Sequence, residues 1–212
     1  MSRRENRTGT SGIDQWNERY SSPDYLFGTR PAAFLEREAG RLTAGQSALC
    51  LADGEGRNSV FLAEQGLHVT AMDGSDAAAA KAGALAQMRN VSVAFHVADI
   101  AGWDWEVRRY DAVIAIFIQF ADPPLRDAIF AGMVRALAPG GLLLLHGYTP
   151  AQIALNTGGP RAAANLYTAG LLADCFRDLE ILHLAEYEAT LSEGKQHLGR
   201  SALIDLVAQK HR

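Results

Sequence analysis

Four carboxylates and two glycines are the residues of this chain best placed to do chemistry. Asp53-Gly54-Glu55-Gly56 follows an apolar run at 48–52, Asp73 ends a second run at 68–73, and Asp99 follows a third at 91–97. A carboxylate at a strand tip can accept two hydrogen bonds from the vicinal hydroxyls of a ribose. Glycine in the preceding turn lets the backbone bend sharply and approach a ligand where a Cβ would collide. These spacings suit recognition of a nucleoside cofactor. Taken alone, Gly-x-Gly is a weak signal, because tight glycine turns after strands are common. Asp73 and Asp99 also have the plainer reading of helix caps. Carboxylates just after two successive strands favour the ligand.

The elements that must position these groups follow from the apolar pattern. Strands are expected at 48–52, 68–73, 91–97, 112–118 and 141–148, separated by helices near 58–65, 76–88 and 124–137. In the last helix Leu125, Ile129, Met133 and Leu137 recur at four-residue spacing, so one face is buried. Strands alternating with helices predict a parallel sheet covered on both faces. Two further runs, 179–187 and 201–208, are joined through the polar turn Glu193-Gly194-Lys195. Without a crossover helix they cannot pair in parallel, so a C-terminal antiparallel hairpin is expected. The fold class is therefore α/β: a Rossmann-like, mostly parallel seven-stranded sheet ending in that hairpin. Pro139-Gly140-Gly141 reads as the turn into the fifth strand, and Thr149-Pro150-Ala151-Gln152 as a capping box. Residues 166–176 are read as a helix. Near the start, 13–20 has helical potential, an aromatic-rich loop follows, and Pro31 opens a helix running to about Arg41.

Composition narrows the function. A chain of 212 residues with a formal net charge of −4 makes one domain and lacks the basic balance of a protein that wraps nucleic acid. Its apolar runs are strand-sized, too short to cross a bilayer. Residues 1–12 are read as a disordered tail; they are basic but lack the apolar region of a signal peptide. Two distant cysteines, Cys50 and Cys175, fit a reducing compartment, so a cytoplasmic location is expected. No metal-ligand set is assigned.

Two cofactor classes compete for the turn. Nicotinamide dinucleotide sites prefer a third glycine, where this chain has Ser59, and no catalytic Tyr-Lys or His pair is evident. The terminal hairpin fits S-adenosylmethionine enzymes better. The order Ala52-Asp53-Gly54-Glu55-Gly56-Arg57-Asn58, then Val69-Thr70-Ala71-Met72-Asp73-Gly74-Ser75, resembles the class I S-adenosylmethionine-dependent methyltransferases. The chain is most similar to their small tellurite-resistance and thiopurine-methyltransferase-like branch. That likeness runs from Trp16-Asn17 and Tyr25-x-Phe27-Gly28-Thr29 to Gly194-x-x-His197-x-Gly199-Arg200.

The resemblance implies roles. Ala52, Asp53, Gly54, Glu55 and Gly56 would cradle the methionine part, helped by Arg57 and Asn58. Asp73 would hold the ribose, with Gly74 and Ser75 close to the adenosine. Ala98, Asp99 and Ile100 would flank the adenine, and Phe117 with Ile118 would close the sulfonium end. The family often carries an acidic residue where Cys50 stands. Asp53 is expected to supply that negative charge to the cofactor's ammonium group, while Cys50 is read as a small core residue.

Methyl transfer from a sulfonium asks the protein to align donor and acceptor at about 3–3.5 Å in a dry site. Trp16, Tyr20, Tyr25 and Phe27 are candidates for an aromatic lid within residues 13–45, or else simply pack the helix onto the sheet. On the acceptor side, with an insertion at 149–177, the candidates are Gln119, His146, Tyr148, Asn156 and His197; His146, His197 and Tyr20 are taken as catalytic. The plainer reading of each histidine is structural. The expectation is a single-domain (13–212) enzyme methylating a small molecule at sulfur, selenium or tellurium, or otherwise at oxygen or nitrogen, with neither nucleic acid nor membrane as partner. The alternatives are a nicotinamide-dependent oxidoreductase and a non-catalytic S-adenosylmethionine-binding regulator.

Overall fold

The computed structural model describes residues 12–212. The tail expected at 1–12 lies, apart from Gly12, outside the described residues. Helices α1 (Gly12–Tyr20) and α2 (Ala33–Glu38) precede β1 (Ser47–Leu51), α3 (Arg57–Glu64), β2 (His68–Asp73), α4 (Asp76–Met88) and β3 (Ala94–Val97). The chain continues through β4 (Tyr110–Ile116), α5 (Pro123–Ala136), β5 (Leu137–Tyr148), α6 (Gln152–Leu155), α7 (Ala169–Cys175), β6 (Leu179–Glu193) and β7 (His197–Lys210). One seven-stranded sheet results, in the order β3-β2-β1-β4-β5-β7-β6. Strand β7 runs antiparallel to both β5 and β6; the other pairs are parallel.

Alternation along the strands builds a core on each face. Leu49, Leu51, Val113, Leu143 and Leu145 bury against Ile129, Phe130 and Met133 of α5 and Leu172 of α7. Their neighbours Ala48, Cys50, Ala112, Ile114 and Leu144 face Phe34 and Leu35 of α2 and Leu62 of α3. Cys50 is thus an inward-facing strand residue, and burial pushes its thiol pKa well up. Helix starts are capped by short polar side chains: Ser75 Oγ accepts from Ala78 N, Asp122 from Leu125 N, and Thr168 from Leu171 N.

Several boundaries differ from the sequence reading, each for a local reason. Strand β3 starts at Ala94, because Val91 N still bonds back to Ala86 O at the end of α4. Helix α7 starts at its Thr168 cap, three residues beyond a short 3₁₀ turn at Ala163–Asn165. The Thr149–Gln152 box does not form: α6 starts at Gln152, without a side-chain cap. Gln152 instead accepts from Ala202 N and donates to Thr157 Oγ1 and Gly158 O. Pro139-Gly140-Gly141 lies inside β5, where the register with β4 shifts.

The hairpin strands are 15 and 14 residues long, longer than expected, and carry their connecting tip back over the sheet's C-terminal edge. Strand β6 is the outer edge, with Glu180, Glu186 and Glu188 exposed and a register shift between Ile181 and His183.

Candidate functional site

In the order β2-β1-β4-β5 the chain turns outward from β1 in both directions, and side chains at the strand C-termini diverge to leave a crevice. A cavity of about 690 Å³ lies there. Its floor is the turn after β1. Ala52 (φ 43°), Gly54 (φ 61°) and Gly56 (φ 88°) all take left-handed backbone. Alanine at the first position carries roughly 1–2 kcal/mol of strain that glycine would avoid. A Cβ on Gly56 would sit 2.7 Å from Ala82 Cβ, so that glycine is sterically required, whereas one on Gly54 would meet only the Tyr20 hydroxyl, at 2.9 Å, and there the left-handed backbone also favours glycine. Gly54 faces the cavity; Gly56 lies behind it, where α3 packs on α4.

Asp73 ties the turn to β2. Its Oδ2 accepts from Gly54 N at 2.9 Å and its Oδ1 from Ser75 N at 2.8 Å, leaving each oxygen one further lone pair beside the cavity. Burial raises its pKa against the pull of those N–H groups. Asp53 lines the cavity but turns its carboxylate to the start of α3, accepting from Ser59 N at 3.3 Å and from Ser59 Oγ. Burial, with the charge of Asp73 adding and Ser59 opposing, pushes Asp53 up to about 6. Asp99 caps a 3₁₀ turn by accepting from Ala101 N, and with Ile100 lines the cavity; Ala98 lies outside the lining.

The N-terminal segment covers this floor. Asn17 Oδ1 accepts from Ser75 Oγ at 2.6 Å, while Trp16 stacks on Tyr20 at 5.4 Å. Glu55 is buried and accepts from Leu26 N at 2.7 Å and from Lys81 at 2.5 Å. The hairpin tip clamps the same loop from the other side, where Lys195 N donates to Leu26 O at 2.8 Å. Trp16, Tyr20 and Phe27 line the cavity; Tyr25 does not. Its hydroxyl donates instead to Lys81 O on α4, and its ring lies beneath the Lys81 ammonium.

At the far end the walls are aromatic. Phe117, in left-handed backbone (φ 56°), sits 4.1 Å from the His197 ring, 4.8 Å from Tyr148 and 4.7 Å from His146. His197 lines the cavity and also meets Phe27 at 4.6 Å. His146 stands behind this wall rather than in it. Its Nδ1 is 2.6 Å from Asp205 Oδ1 and its ring stacks on Phe34, so it belongs to a buried network that also reaches Tyr187 and Arg37. Gln119 lines the cavity but is fully engaged, matching the N–H and C=O of Tyr148 like a strand partner. Asn156 ends α6 beside a second, smaller cavity. Ile118 is buried in the α5-side core.

Sequence reasoning missed Glu193, Gln196 and the loop Gly158-Gly159-Pro160. Glu193 is the partner of Arg57: Nη1 and Oε2 are 2.8 Å apart, with both side chains buried. Burial would raise Glu193, but His197, Arg57 and the Ala33 N–H together hold it at about 2. Gln196 and the 158–160 loop complete the lining at the aromatic end. Asn58 accepts from Ala32 N, fastening the start of α2 to the start of α3.

The sheet order and the crevice at its switch point define a Rossmann-like methyltransferase fold. Residues 48–141 match the model of a family described as a methyltransferase domain. No curated protein sequence matches the chain. Among solved structures, one described for the conversion of a disulfide bond into a thioacetal group during echinomycin biosynthesis is 20% identical, with a TM-score of 0.73 over 94% of this chain and 92% of that one. The N-methyltransferase NodS from Bradyrhizobium japonicum, in complex with S-adenosyl-L-homocysteine, is 15% identical, with a TM-score of 0.71 over 94% and 98%. TehB from Haemophilus influenzae is 18% identical, with a TM-score of 0.68 over 93% of this chain and 66% of that one.

Proposed function

We propose that the protein is an S-adenosylmethionine-dependent methyltransferase that modifies a small molecule. The observation that carries this reading is Asp73, which ends β2 inside the cavity and holds the glycine turn by Gly54 N. The cradle fits the cofactor. Its glycines keep the turn free of side chains, two carboxylates stand at the strand ends, and about 690 Å³ accommodates a nucleoside and a small acceptor together. Asp73 would hold the ribose, Asp99 and Ile100 the adenine, and residues 52–55 the methionine part, with Gly56 shaping the turn from behind. Arg57 and Asn58 serve by fixing the hairpin tip and α2 around that cradle.

The bound sulfonium supplies an electrophilic methyl group with a neutral thioether as leaving group. The chain's own residues then align, enclose and dry the site. Tyr20, Trp16 and Phe27 cover the floor, and Phe117 and His197 wall the acceptor end. His197 meets the acceptor, Tyr20 closes over the turn, and His146 acts one layer out by bracing Phe117. The acceptor is a small molecule, with sulfur, selenium or tellurium favoured by the likeness to the tellurite-resistance branch. A domain spanning 13–212, with 13–45 as lid and 149–177 as acceptor-side insertion, is part of the same proposal. Among the described residues no helix is long and apolar enough to cross a membrane.

Titration calorimetry with S-adenosylmethionine, S-adenosylhomocysteine and NAD tests the reading. Binding of the two sulfur nucleosides is expected, with loss of at least about tenfold in affinity for Asp73→Asn. Preference for NAD would overturn it in favour of an oxidoreductase. Binding without methyl loss across a broad acceptor panel would favour a regulator.

A further inference from the structure

Among the described residues, two buried side-chain polar atoms have no hydrogen-bond partner, and both belong to the aromatic end of the cavity. They are Tyr148 Oη and His197 Nδ1. Tyr148 is 2% exposed and His197 8%, and both residues line the cavity. Leaving a buried donor or acceptor unpaired costs about 1–3 kcal/mol, so two in one corner call for an explanation. The nearest carboxylate oxygen to His197 Nδ1, Glu193 Oε2, is 3.7 Å away and already bonded to Arg57 at 2.8 Å. Tyr148 is covered by the side-chain-free loop Gly158-Gly159; a Cβ on Gly159 would sit 2.8 Å from the ring.

The surroundings define what would satisfy these atoms. Phe27, Phe117, Tyr148 and His197 line the corner in mutual contact, with ring centroids 4.1 to 5.9 Å apart, so the wall it offers a guest is made of ring faces and edges, which favour an aromatic partner. The nearby full charges, Arg57 and Glu193, neutralise each other, so a charged guest would be desolvated without a counter-ion. Burial lowers the His197 pKa, against the opposing pull of Glu193 and with Arg57 and His146 adding to it, so the ring is neutral at pH 7. Burial also raises the Tyr148 pKa, keeping the phenol protonated and able to donate. A hydroxyl or thiol both donates and accepts, and so pairs with a phenol and a neutral imidazole in either tautomer.

We propose that this corner is the acceptor subsite and that it takes an uncharged aromatic molecule bearing a hydroxyl or thiol, held between Tyr148 Oη and His197 Nδ1. The inference rests on the methyltransferase reading and deepens it by naming the substrate class. It makes Tyr148, rather than His146, the strand β5 residue that touches the acceptor.

Fluorine NMR on protein loaded with S-adenosylhomocysteine tests it, with para-fluorophenol as probe. Para-fluoroanisole, which lacks the X–H group, serves as one comparison; para-fluorobenzoate and para-fluorobenzylammonium are the charged ones. Para-fluorophenol is expected to bind saturably, more tightly than the other three. Tyr148→Phe and His197→Asn should each weaken it about tenfold while S-adenosylhomocysteine affinity, measured by calorimetry, stays within about twofold. Should one variant fail to fold, the other and the anisole comparison still decide. Failure of the wild-type protein to bind S-adenosylhomocysteine would overturn the methyl-donor reading and the inference with it. Nucleoside binding with no phenol binding, with equal binding of the charged probes, or with unchanged affinity in the variants would overturn the subsite alone.

Discussion

Asp53 occupies a position where its own environment works against its charge. It lines the cavity, bonds to Ser59 at the start of α3, and has its pKa pushed up to about 6 by burial and by Asp73. In an unfolded chain it would titrate near 3.9. The folded form therefore gains protons more readily, and its ionisation costs stability above about pH 6, a cost relieved as pH falls toward 4. The opposite holds for a cationic ligand that needs the carboxylate. Affinity for S-adenosylmethionine is expected to fall as pH drops below about 6, and Asp53→Asn should flatten that dependence while lowering affinity at pH 7. Calorimetric titrations between pH 5 and 8 check both. Unchanged affinity at pH 7 would remove Asp53 from any role in balancing the absent acid at Cys50. Ala52 adds strain of a different kind, since it holds a left-handed backbone that the turn requires but its Cβ resists.

Among the elements, the β6–β7 hairpin does more than its sequence reveals. Its tip reaches the N-terminal loop so closely that a Cβ on Gly194 would fall 2.4 Å from Phe27 C and 2.5 Å from Gly28 N. Gly194→Ala should therefore lift the tip from the loop, weaken nucleoside binding about tenfold and raise amide exchange across residues 24–28. Hydrogen-exchange mass spectrometry checks the second effect, and unchanged protection there would separate the tip from the N-terminal loop. The strands and helices were legible because their signals are local: β2 and α4 fall where the apolar pattern puts them. Glycines, Asp73 and Asp99 were legible because a βαβ turn is written within about thirty residues. What escaped depended on long-range closure. Arg57 and Glu193 are separated by 136 positions in sequence, and only the overlong hairpin brings them together. His146 illustrates the same limit. Its place at the end of β5 suggested contact with the acceptor, but strand alternation aims it at Phe34 and Asp205.

For the whole molecule, the Arg57–Glu193 pair joins both ends of the chain to the sheet's first turn. Arg57 opens α3 beside the glycine turn, and Glu193 ends β6 while also accepting from Ala33 N at the start of α2. Glu193→Gln leaves a buried guanidinium without its counter-charge and should destabilise the fold by about 3 kcal/mol at pH 7, read from urea unfolding. The folded pKa of Glu193, about 2, lies below the usual glutamate value. The pair's contribution is therefore complete above about pH 4.5 and is lost as pH falls toward 2, so the difference between wild type and variant should narrow across that window.

The same long hairpin leaves its outer strand, β6, at the rim of the sheet with one side of its backbone facing outward. Such a rim is a template on which a second chain can add itself, strand to strand, and stack. Glu180, Glu186 and Glu188 punctuate it with like charges that a copy of the same strand would have to bring close together. Its most apolar stretch, the exposed pair Ile181 and Leu182, coincides with the bulge before His183, where the backbone is turned out of register. The strand that carries the hairpin tip to the cavity thus also terminates the sheet, with charges and a bulge set against pairing at the edge its reach created.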